Sequence, residues 1–336
     1  MIRVCVIGSG RAGMIHARNF AGSVPDAKLV AIVDPVEELA KKACKELEIN
    51  NYYLNYQDAL KLNNIDAVIV VTPTVYHNEI VVAAAKAGKH VLCEKPMAMT
   101  VKECNAMIKA CKDSKVKLQI AFMRRFDESF LYAKKRVDSG EIGRVVLIKS
   151  LTHGPSTPKS WMYDIRKSNG PLAEVNSHDI DALHWYSGSY INEVYAIGGN
   201  FRSPKAKEAW PDFYDNVILT TRFSNGMQGF IEGAQGVQYG YDSRVEILGE
   251  KGIIFIGKIN NYSVMSCNPN GMQTPFVRSW QNLYYDAYKK EDISFINCIL
   301  DGSEPEVTGQ DGMEAVKVVN AGNRSITEKK PIKLSR

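Results

Sequence analysis

Residues 1–34 read MIRVCVIGSGRAGMIHARNFAGSVPDAKLVAIVD, a pattern that predicts a strand, a glycine-rich turn and the start of a helix. The apolar run Val4 to Ile7 is short and rich in β-branched residues, which favours a strand over a helix. Gly8 permits a tight turn after the strand, Gly10 lets the backbone approach a pyrophosphate, and Gly13 lets the helix pack closely on the sheet.

The residues that follow indicate which dinucleotide would bind. Arg11 and Ala12 open the predicted helix, whose positive end would face the phosphates. A second predicted strand, Lys28 to Val33, ends in Asp34, about 20 residues past the glycines, where a carboxylate can hydrogen-bond the adenosine ribose. That charge would repel a 2′-phosphate, and Pro35-Val36-Glu37 offers no cation to receive one. The stretch therefore predicts NAD rather than NADP.

The composition is that of an ordinary globular protein. The 336 residues suffice for about two domains, and 45% are hydrophobic and 24% charged. A net charge of +5 is small and dispersed, so neither a nucleic-acid nor a membrane partner is expected. The seven cysteines form no CxxC pair, which favours reduced thiols, a cytoplasmic location and no metal site. The first strand begins too early for a signal peptide, and no apolar run is long enough to span a membrane.

Strand and helix patterns alternate as far as residue 122. The predicted helices cover 36–47, 78–87 and 101–114, and the predicted strands cover 67–71, 90–93 and 117–122. This alternation predicts an α/β fold with a doubly wound parallel sheet of the Rossmann type over residues 1–122. Ligands of such sheets bind at the carboxyl ends of the strands. The predicted cofactor contacts at those ends are Thr72, Pro73, His77, Glu94 and Lys95.

Residues 123–336 have a different pattern and are expected to form a second domain that binds substrate. Closely spaced strands with short turns are predicted over 145–152, 193–201, 216–223, 227–237, 243–248 and 252–256. Helices are predicted over 171–186, 281–300 and 311–327. An α/β domain with an open, mainly antiparallel sheet follows. Apolar residues on both alternations of several strands suggest that its uncovered face forms a homo-oligomer, a dimer or tetramer.

The helix predicted over 171–186 carries a second group of reactive side chains. Glu174, His178 and Asp181 are spaced i, i+4 and i+7, which would place them on one helical face. A neutral histidine is a natural general base near pH 7, and carboxylates beside it can orient the ring. Lys95 could supply a cation for the alkoxide that develops when an alcohol is oxidised. Taken singly, His178 is equally explained as a structural histidine and Lys95 as a solvated surface residue.

At this point the motifs resemble a known family. The segments VIGSGRAGMIHA, VTPTVYH, AGKHVLCEKPMAMT, HDID and EPEVTGQDGMEAVKVVNA follow one another as they do in the glucose–fructose oxidoreductase, inositol dehydrogenase and rhizopine catabolism (Gfo/Idh/MocA) family. The resemblance implies a Rossmann domain, an open-sheet domain used for oligomerisation, a catalytic lysine at Lys95 and a catalytic histidine at His178. The family commonly has aspartate where this chain has Glu174, one methylene longer. The HDID segment is similar to that of inositol dehydrogenases.

The resemblance implies a polyol, an aldose, a sugar phosphate or a nucleotide sugar as substrate. Candidate substrate contacts are Arg125, His153, Trp161 with the nearby Tyr163, and Asn176. A flat tryptophan can stack on the C–H face of a sugar, although the loop that contains it is equally readable as a lid.

The first hypothesis is therefore an NAD-dependent dehydrogenase that oxidises a secondary hydroxyl of an inositol-like cyclic polyol to a ketone. The sequence leaves three alternatives open. The substrate could be a sugar phosphate or nucleotide sugar, the protein could retain its NAD and use transient oxidation to cleave a glycoside, or it could be a non-enzymatic NAD-binding regulator.

Overall fold

The computed structural model of the chain describes residues 1–260 and 264–335. Its strands are β1 (Ile2–Ile7), β2 (Ala27–Val33), β3 (Tyr52–Tyr53), β4 (Ala67–Val70), β5 (His90–Glu94), β6 (Leu118–Ala121), β7 (Val145–Gly154), β8 (Ile191–Gly199), β9 (Asn216–Phe223), β10 (Gln228–Gln235), β11 (Asp242–Gly249), β12 (Ile253–Ile256), β13 (Ser266–Asn268), β14 (Gly271–Gln273) and β15 (Ile332–Lys333). Its helices are α1 (Arg11–Gly22), α2 (Glu37–Leu47), α3 (Tyr56–Leu60), α4 (His77–Lys86), α5 (Val101–Asp113), α6 (Glu128–Asp138), α7 (Ile165–Ser168), α8 (Gly170–Glu174), α9 (Ser177–Ser187), α10 (Ala206–Ala209), α11 (Trp280–Leu283), α12 (Tyr285–Asp301) and α13 (Gly309–Glu328).

The first compact unit comprises Met1–Phe126 together with Asp286–Val316. Its six strands are all parallel and lie in the order β3-β2-β1-β4-β5-β6. This is the doubly wound order, in which β2 and β3 are added on one side of β1 and β4 to β6 on the other. It confirms the predicted fold class. The strands are rich in buried apolar residues, as is usual for a parallel sheet that is covered on both faces.

The core of this unit includes side chains from a distant part of the sequence. Phe295, Ile296 and Cys298 of α12 are buried together with Val4 of β1 and Phe20 of α1. The sequence analysis assigned residues 286–316 to the second domain, whereas the structure places them in the first unit. Local patterns predict helices well but carry no information about which sheet a helix will cover.

The second compact unit comprises Asp127–Tyr285 and Lys317–Arg336. Its seven-stranded sheet has the order β12-β11-β7-β10-β9-β8-β15, and all neighbours are antiparallel except the parallel pair β7 and β10. This agrees with the predicted open, mainly antiparallel sheet. A separate two-stranded hairpin is formed by β13 and β14.

The helix predicted over 171–186 is wrong as a single element. The chain forms α8, turns at Val175 and Asn176, and starts again as α9 at Ser177. The long helix predicted over 281–300 is likewise divided into α11 and α12. Asn and Ser favour helix starts over helix interiors, so the Asn176-Ser177 pair was the local signal for a new helix.

Candidate active site

The glycine turn after β1 has the geometry that its three glycines predict. A Cβ on Gly8, which has φ +103°, would lie 2.5 Å from the carbonyl oxygen of Val71, and a Cβ on Gly13 would lie 1.9 Å from the carbonyl oxygen of Gly8. A Cβ on Gly10 would meet no heavy atom within 4 Å. Gly8 and Gly13 are therefore required by the protein's own packing, whereas the space beside Gly10 is open to a ligand.

The start of α1 is suited to an anion. No side chain caps the helix at Gly10, and its first turn contains no acidic residue. The first amide groups of the helix therefore face outwards with the positive end of the helix dipole behind them. Gly10, Arg11 and Ala12 provide the backbone of this site, as the sequence analysis expected of a pyrophosphate-binding turn.

Asp34 lies at the carboxyl end of β2 and is linked directly to the glycine turn. Its Oδ2 accepts hydrogen bonds from the backbone N–H of Ser9 (2.9 Å) and from the Ser9 hydroxyl (2.7 Å), and its Oδ1 accepts one from the N–H of Val36 (3.0 Å). A carboxylate has about four acceptor positions, so capacity remains for a ribose hydroxyl. The sequence analysis did not identify Ser9, whose role depends on the fold bringing β1 and β2 together.

The ends of β4 and β5 are held together by His77. Its Nδ1 lies 2.9 Å from the carbonyl oxygen of Pro96 and its Nε2 lies 2.8 Å from that of Thr72. Burial lowers the pKa of His77, while these carbonyls act in the opposite direction. Because both ring nitrogens face backbone atoms, any contribution of His77 to cofactor binding would come through the backbone of Thr72 and Pro96. Pro73 is exposed beside them.

Lys95 is half-buried directly after β5, and the Lys95–Pro96 peptide bond is cis. The preceding Glu94 is only 6% exposed, and its Oε2 accepts a hydrogen bond from the backbone N–H of Lys95 at 2.9 Å. The lysine side chain is thus carried on a backbone that a neighbouring carboxylate fixes.

Arg125 also belongs to the first unit. The side chain is buried, and its Nη2 donates to Asp311 Oδ1 at 2.9 Å. The other oxygen of Asp311 accepts from the N–H and the hydroxyl of Thr308, which precedes α13. Arg125 is therefore an element of the structure around the start of α13 as well as a candidate substrate contact.

His178 is the second residue of α9 and is 6% exposed. The next residue, Asp179, is fully buried and accepts hydrogen bonds from the hydroxyls of Ser150 (2.6 Å) and Thr152 (3.0 Å) on β7. These bonds attach the first turn of α9 to the sheet and so fix the position from which the His178 ring extends. These contacts make Asp179 a supporting group for the first turn of α9.

Asn176 is fully buried in the turn between α8 and α9. Its amide donates to Asp179 Oδ2 at 2.8 Å and to the carbonyl oxygen of Glu232 at 3.3 Å. A Cβ on Gly233 would lie 1.9 Å from Asn176 Oδ1, so this contact with β10 requires glycine. The role seen for Asn176 within this unit is to fix the turn before His178.

Asp181 is buried one turn after His178 on the same helix, whereas Glu174 is half-buried at the end of α8. The i, i+4, i+7 argument for Glu174 does not hold, because a turn separates Glu174 from α9. His178 and Asp181 keep the i, i+3 relation within α9.

The segment before α8 contains the remaining candidates. Trp161 is half-buried in a short 3₁₀ turn, and the ring of Tyr163 packs against Trp210 and Phe213 with centroid distances of 5.5 Å and 4.8 Å. These contacts anchor the segment that leads to the site.

His153 lies on the opposite face of β7 from Ser150 and Thr152. Its Nδ1 is 2.5 Å from Tyr239 Oη, and its Nε2 is 3.0 Å from Glu232 Oε1. Because successive side chains of a strand alternate between faces, His153 lies on the face away from α9. His153 is therefore not among the proposed substrate contacts.

Two other features, a metal site and a membrane-spanning helix, are absent from the described residues. Residues 1–260 and 264–335 contain no group of three or more His, Cys, Asp and Glu side chains that could hold a metal ion. Within the same ranges no helix is both long enough and apolar enough to cross a lipid bilayer.

A parallel sheet of this order, with the glycine turn after β1 and an acidic residue after β2, defines a dinucleotide-binding protein of the Rossmann class. Comparison with known sequences specifies the class further. Residues 2–122 match the NAD-binding Rossmann fold of the Gfo/Idh/MocA oxidoreductase family, and residues 130–255 match the Gfo/Idh/MocA C-terminal domain.

Full-length relatives agree with these matches. The chain is 33% identical to the scyllo-inositol 2-dehydrogenase (NAD⁺) of Bacillus subtilis over 99% of this chain and 96% of that protein. It is also 33% identical to the myo-inositol 2-dehydrogenase of Thermotoga maritima, over 99% of this chain and 98% of that protein. The crystal structure of scyllo-inositol dehydrogenase from Lactobacillus casei with bound NAD(H) and scyllo-inositol superposes with a TM-score of 0.91 at 27% identity, covering 99% of each chain. The chain belongs to the Gfo/Idh/MocA oxidoreductase family, and the predicted NAD-binding domain is confirmed.

Proposed function

We propose that the protein is an NAD-dependent dehydrogenase that oxidises a secondary hydroxyl of an inositol-like cyclic polyol to a ketone. The observation that carries this proposal is the likeness over 99% of the chain to two inositol 2-dehydrogenases, in a chain with a lysine after β5 and a histidine in the first turn of α9. A non-enzymatic regulator would have no need of these two groups.

The glycine turn and Asp34 would hold the cofactor. The first amides of α1 bind its pyrophosphate, and Asp34 accepts a hydrogen bond from the adenosine ribose while its charge disfavours a 2′-phosphate. When bound, NAD supplies the hydride acceptor for the oxidation. Thr72, Pro73 and Glu94 complete the proposed set of cofactor contacts.

His178 is proposed as the general base. It accepts the hydroxyl proton of the substrate at a ring nitrogen, and α9, attached to β7 through Asp179, fixes the ring. Asp181 and Glu174 stabilise the imidazolium that forms. Lys95 stabilises the negative charge that develops on the substrate oxygen and can pass a proton.

The remaining substrate contacts are assigned by chemistry. Trp161 would stack on the C–H face of the ring, while Arg125 and Asn176 present polar groups that suit hydroxyls. Arg125 and Asn176 also have fixed partners within their own units, so each would bind substrate in the orientation that those partners impose.

We propose that the protein forms a homo-oligomer through the open face of the seven-stranded sheet. Helices α8 and α9 cover the face that carries Ser150 and Thr152. The other face exposes Tyr195, Ile197, Ile218, Leu248, Ile253 and Phe255. Ile197 and Ile218 are paired across neighbouring strands, and they are 57% and 41% exposed. Exposed apolar side chains on an uncovered sheet face are typical of an interface between copies of a chain.

We also infer a cytoplasmic location. All seven cysteines are free thiols, and six of them are buried. Burial raises the pKa of Cys5, Cys104, Cys111 and Cys298 to about 12 in each case, which keeps these thiols unreactive. Unpaired buried thiols are usual in proteins of a reducing compartment.

The function is tested by NADH formation at mildly alkaline pH, measured by absorbance with NAD and separately with NADP. The panel consists of myo-inositol, scyllo-inositol, aldoses, sugar phosphates and nucleotide sugars. Turnover with an inositol and NAD is expected. Turnover only with a sugar phosphate or a nucleotide sugar would reject the proposed substrate. No NADH formation with any compound of the panel, together with tight NAD binding, would favour a regulator.

The base is tested with His178→Asn, and His184→Asn on the same helix is the matched control. We expect the first variant to lose on the order of 10²- to 10⁴-fold in kcat while its NAD affinity, measured by fluorescence titration, stays unchanged. The control should retain activity. A His178→Asn enzyme with near-normal turnover would place the base elsewhere.

A further inference from the structure

A row of buried polar side chains runs from the end of β5 into the core of the first unit, and Glu94 is its one member with a role assigned above. His16 of α1 is fully buried, and its Nδ1 lies 2.6 Å from Asp292 Oδ1 of α12. The second oxygen of Asp292, also fully buried, accepts a hydrogen bond of 2.7 Å from the amide of Asn19. The other ring nitrogen of His16 faces Glu94 Oε1 at 3.5 Å. The row connects α12, α1 and the end of β5.

A buried histidine between two carboxylates is stabilised in its protonated form. Burial raises the pKa of Asp292, while His16 and Asn19 act in the opposite direction. Two carboxylates removed from water are costly unless a cation or several donors satisfy them. Burial alone would lower the pKa of His16, but Asp292 and Glu94 together outweigh burial and raise it well above its usual value. The edge of the Tyr288 ring completes the surroundings of His16, with a centroid distance of 5.4 Å. An imidazolium can donate from both nitrogens and so serve both carboxylates.

Glu94 is the link between this row and the proposed active site. Neither Glu94 Oε1 nor His16 Nε2 has another hydrogen-bond partner among the residues that the structure describes, so each depends on the other. The remaining oxygen of Glu94 accepts the backbone N–H of Lys95. On the other side of Lys95, His77 holds the carbonyl oxygen of Pro96. The backbone that carries the Lys95 side chain is therefore fixed from both directions.

We propose that His16, an imidazolium held between Asp292 and Glu94, is a positioning residue that orients Glu94 and through it the backbone of Lys95. The inference rests on the proposed role of Lys95 as the cation at the reacting oxygen. His16 does not touch substrate in this account. It acts by holding Glu94 in one rotamer, because the placement of a half-buried lysine at a strand end depends on the placement of its backbone.

The first test measures position without activity. Protein labelled with ¹⁵N-lysine gives one amide signal for Lys95, identified by its absence in Lys95→Arg. Because this N–H donates to a carboxylate, its chemical shift reports the Glu94 contact. His16→Gln should move the Lys95 signal. His90→Gln, a control at the opposite end of β5, should not. An unmoved Lys95 signal in folded His16→Gln would overturn the proposal, whatever the substrate proves to be.

The second test is a double-mutant cycle in kcat. His16→Gln should lower kcat on the order of 10- to 100-fold, with the NAD dissociation constant within about twofold of wild type. In a Glu94→Gln background the same change should have little further effect, because His16 acts through Glu94. Multiplicative losses in the double variant would show that His16 acts by another route and would refute the positioning role.

The variant His16→Gln leaves Asp292 buried without its cation and could fail to fold. The double variant His16→Gln with Asp292→Asn removes both charges and avoids this penalty. It should fold, move the Lys95 amide signal and show the same loss of kcat. A folded double variant with normal kcat and an unmoved signal would overturn the proposal equally.

Discussion

Asp34 and Asp179 are buried carboxylates that accept hydrogen bonds from short polar groups. Asp34 accepts from Ser9 and Val36, and Asp179 accepts from two hydroxyls of β7 and an amide. Such bonds fix the direction of each carboxylate. In both cases these hydrogen bonds hold a residue that lies beside a proposed functional group. The precision of the site therefore comes from side chains that do not themselves react.

Asp311 shows the same principle with a cation, and it gives a prediction for pH dependence. Burial would raise the pKa of Asp311, but Arg125 and Thr308 outweigh it and hold the pKa below its usual value. A carboxyl with a lowered folded-state pKa stabilises the protein above its unfolded pKa of about 3.9 and loses that contribution as pH falls through the folded-state value. The difference in free energy of unfolding between wild type and Asp311→Asn should therefore be constant near pH 6–7 and shrink below about pH 4.

The measurement is urea unfolding of both proteins across pH 3 to 7. Asp113→Asn serves as the control, because Asp113 is exposed and pairs with Lys109 on the same helix. Such surface pairs contribute little, so this control should match wild type throughout. A pH-independent difference for Asp311→Asn would show that its ionisation is not linked to folding.

At the scale of secondary-structure elements, the first turn of α1 both packs against the end of β1 and provides the amides proposed to bind the pyrophosphate. A substitution at Gly10 tests binding separately from packing. Gly10 has φ −69°, which any residue adopts, and the space beside it is open. Gly10→Ala should change the free energy of unfolding by no more than about 0.5 kcal/mol. It should weaken NAD binding by at least about tenfold, because the methyl group occupies the approach of the pyrophosphate.

The control is Gly22→Ala, at the other end of α1 and equally free of contacts. Fluorescence titration with NAD and thermal unfolding are measured on both variants. The control should leave both quantities near wild type. Equal NAD affinity in Gly10→Ala and wild type would mean that the pyrophosphate lies elsewhere.

Some of these elements could be predicted from the sequence more accurately than others. The longer strands of both sheets were located within a few residues, because burial on one or both faces imposes a clear periodicity, whereas the two-residue strands β3 and β15 were missed. The break between α8 and α9 was missed, since Asn176 leaves the helical path for partners on β10 and at Asp179 that are distant or unrecognisable in sequence. The buried row around His16 was not predicted, because its partner Asp292 is far along the chain.

At the scale of the whole molecule, the open sheet face determines the expected assembly. Replacing Ile197 and Ile218 together by lysine would place two charges at the centre of the proposed interface. We expect the mass measured by light scattering to fall to that of one 37.4 kDa chain. Leu54→Lys, at a comparably exposed residue of the first unit, is the control and should leave the mass unchanged. A monomeric wild type across micromolar concentrations would refute the oligomer.

The return of residues Asp286–Val316 to the first unit has a consequence for biosynthesis. A ribosome releases the NAD-binding segment first, yet Phe295 and Ile296 of its core, and the Asp292 partner of His16, emerge only after β7 to β12 have been made. The nascent N-terminal half therefore exposes an apolar surface and an unpaired histidine throughout most of translation. The core of the first unit can close only after α12 has been made, and the second unit needs β15 from the segment that follows, so both units are completed late in synthesis.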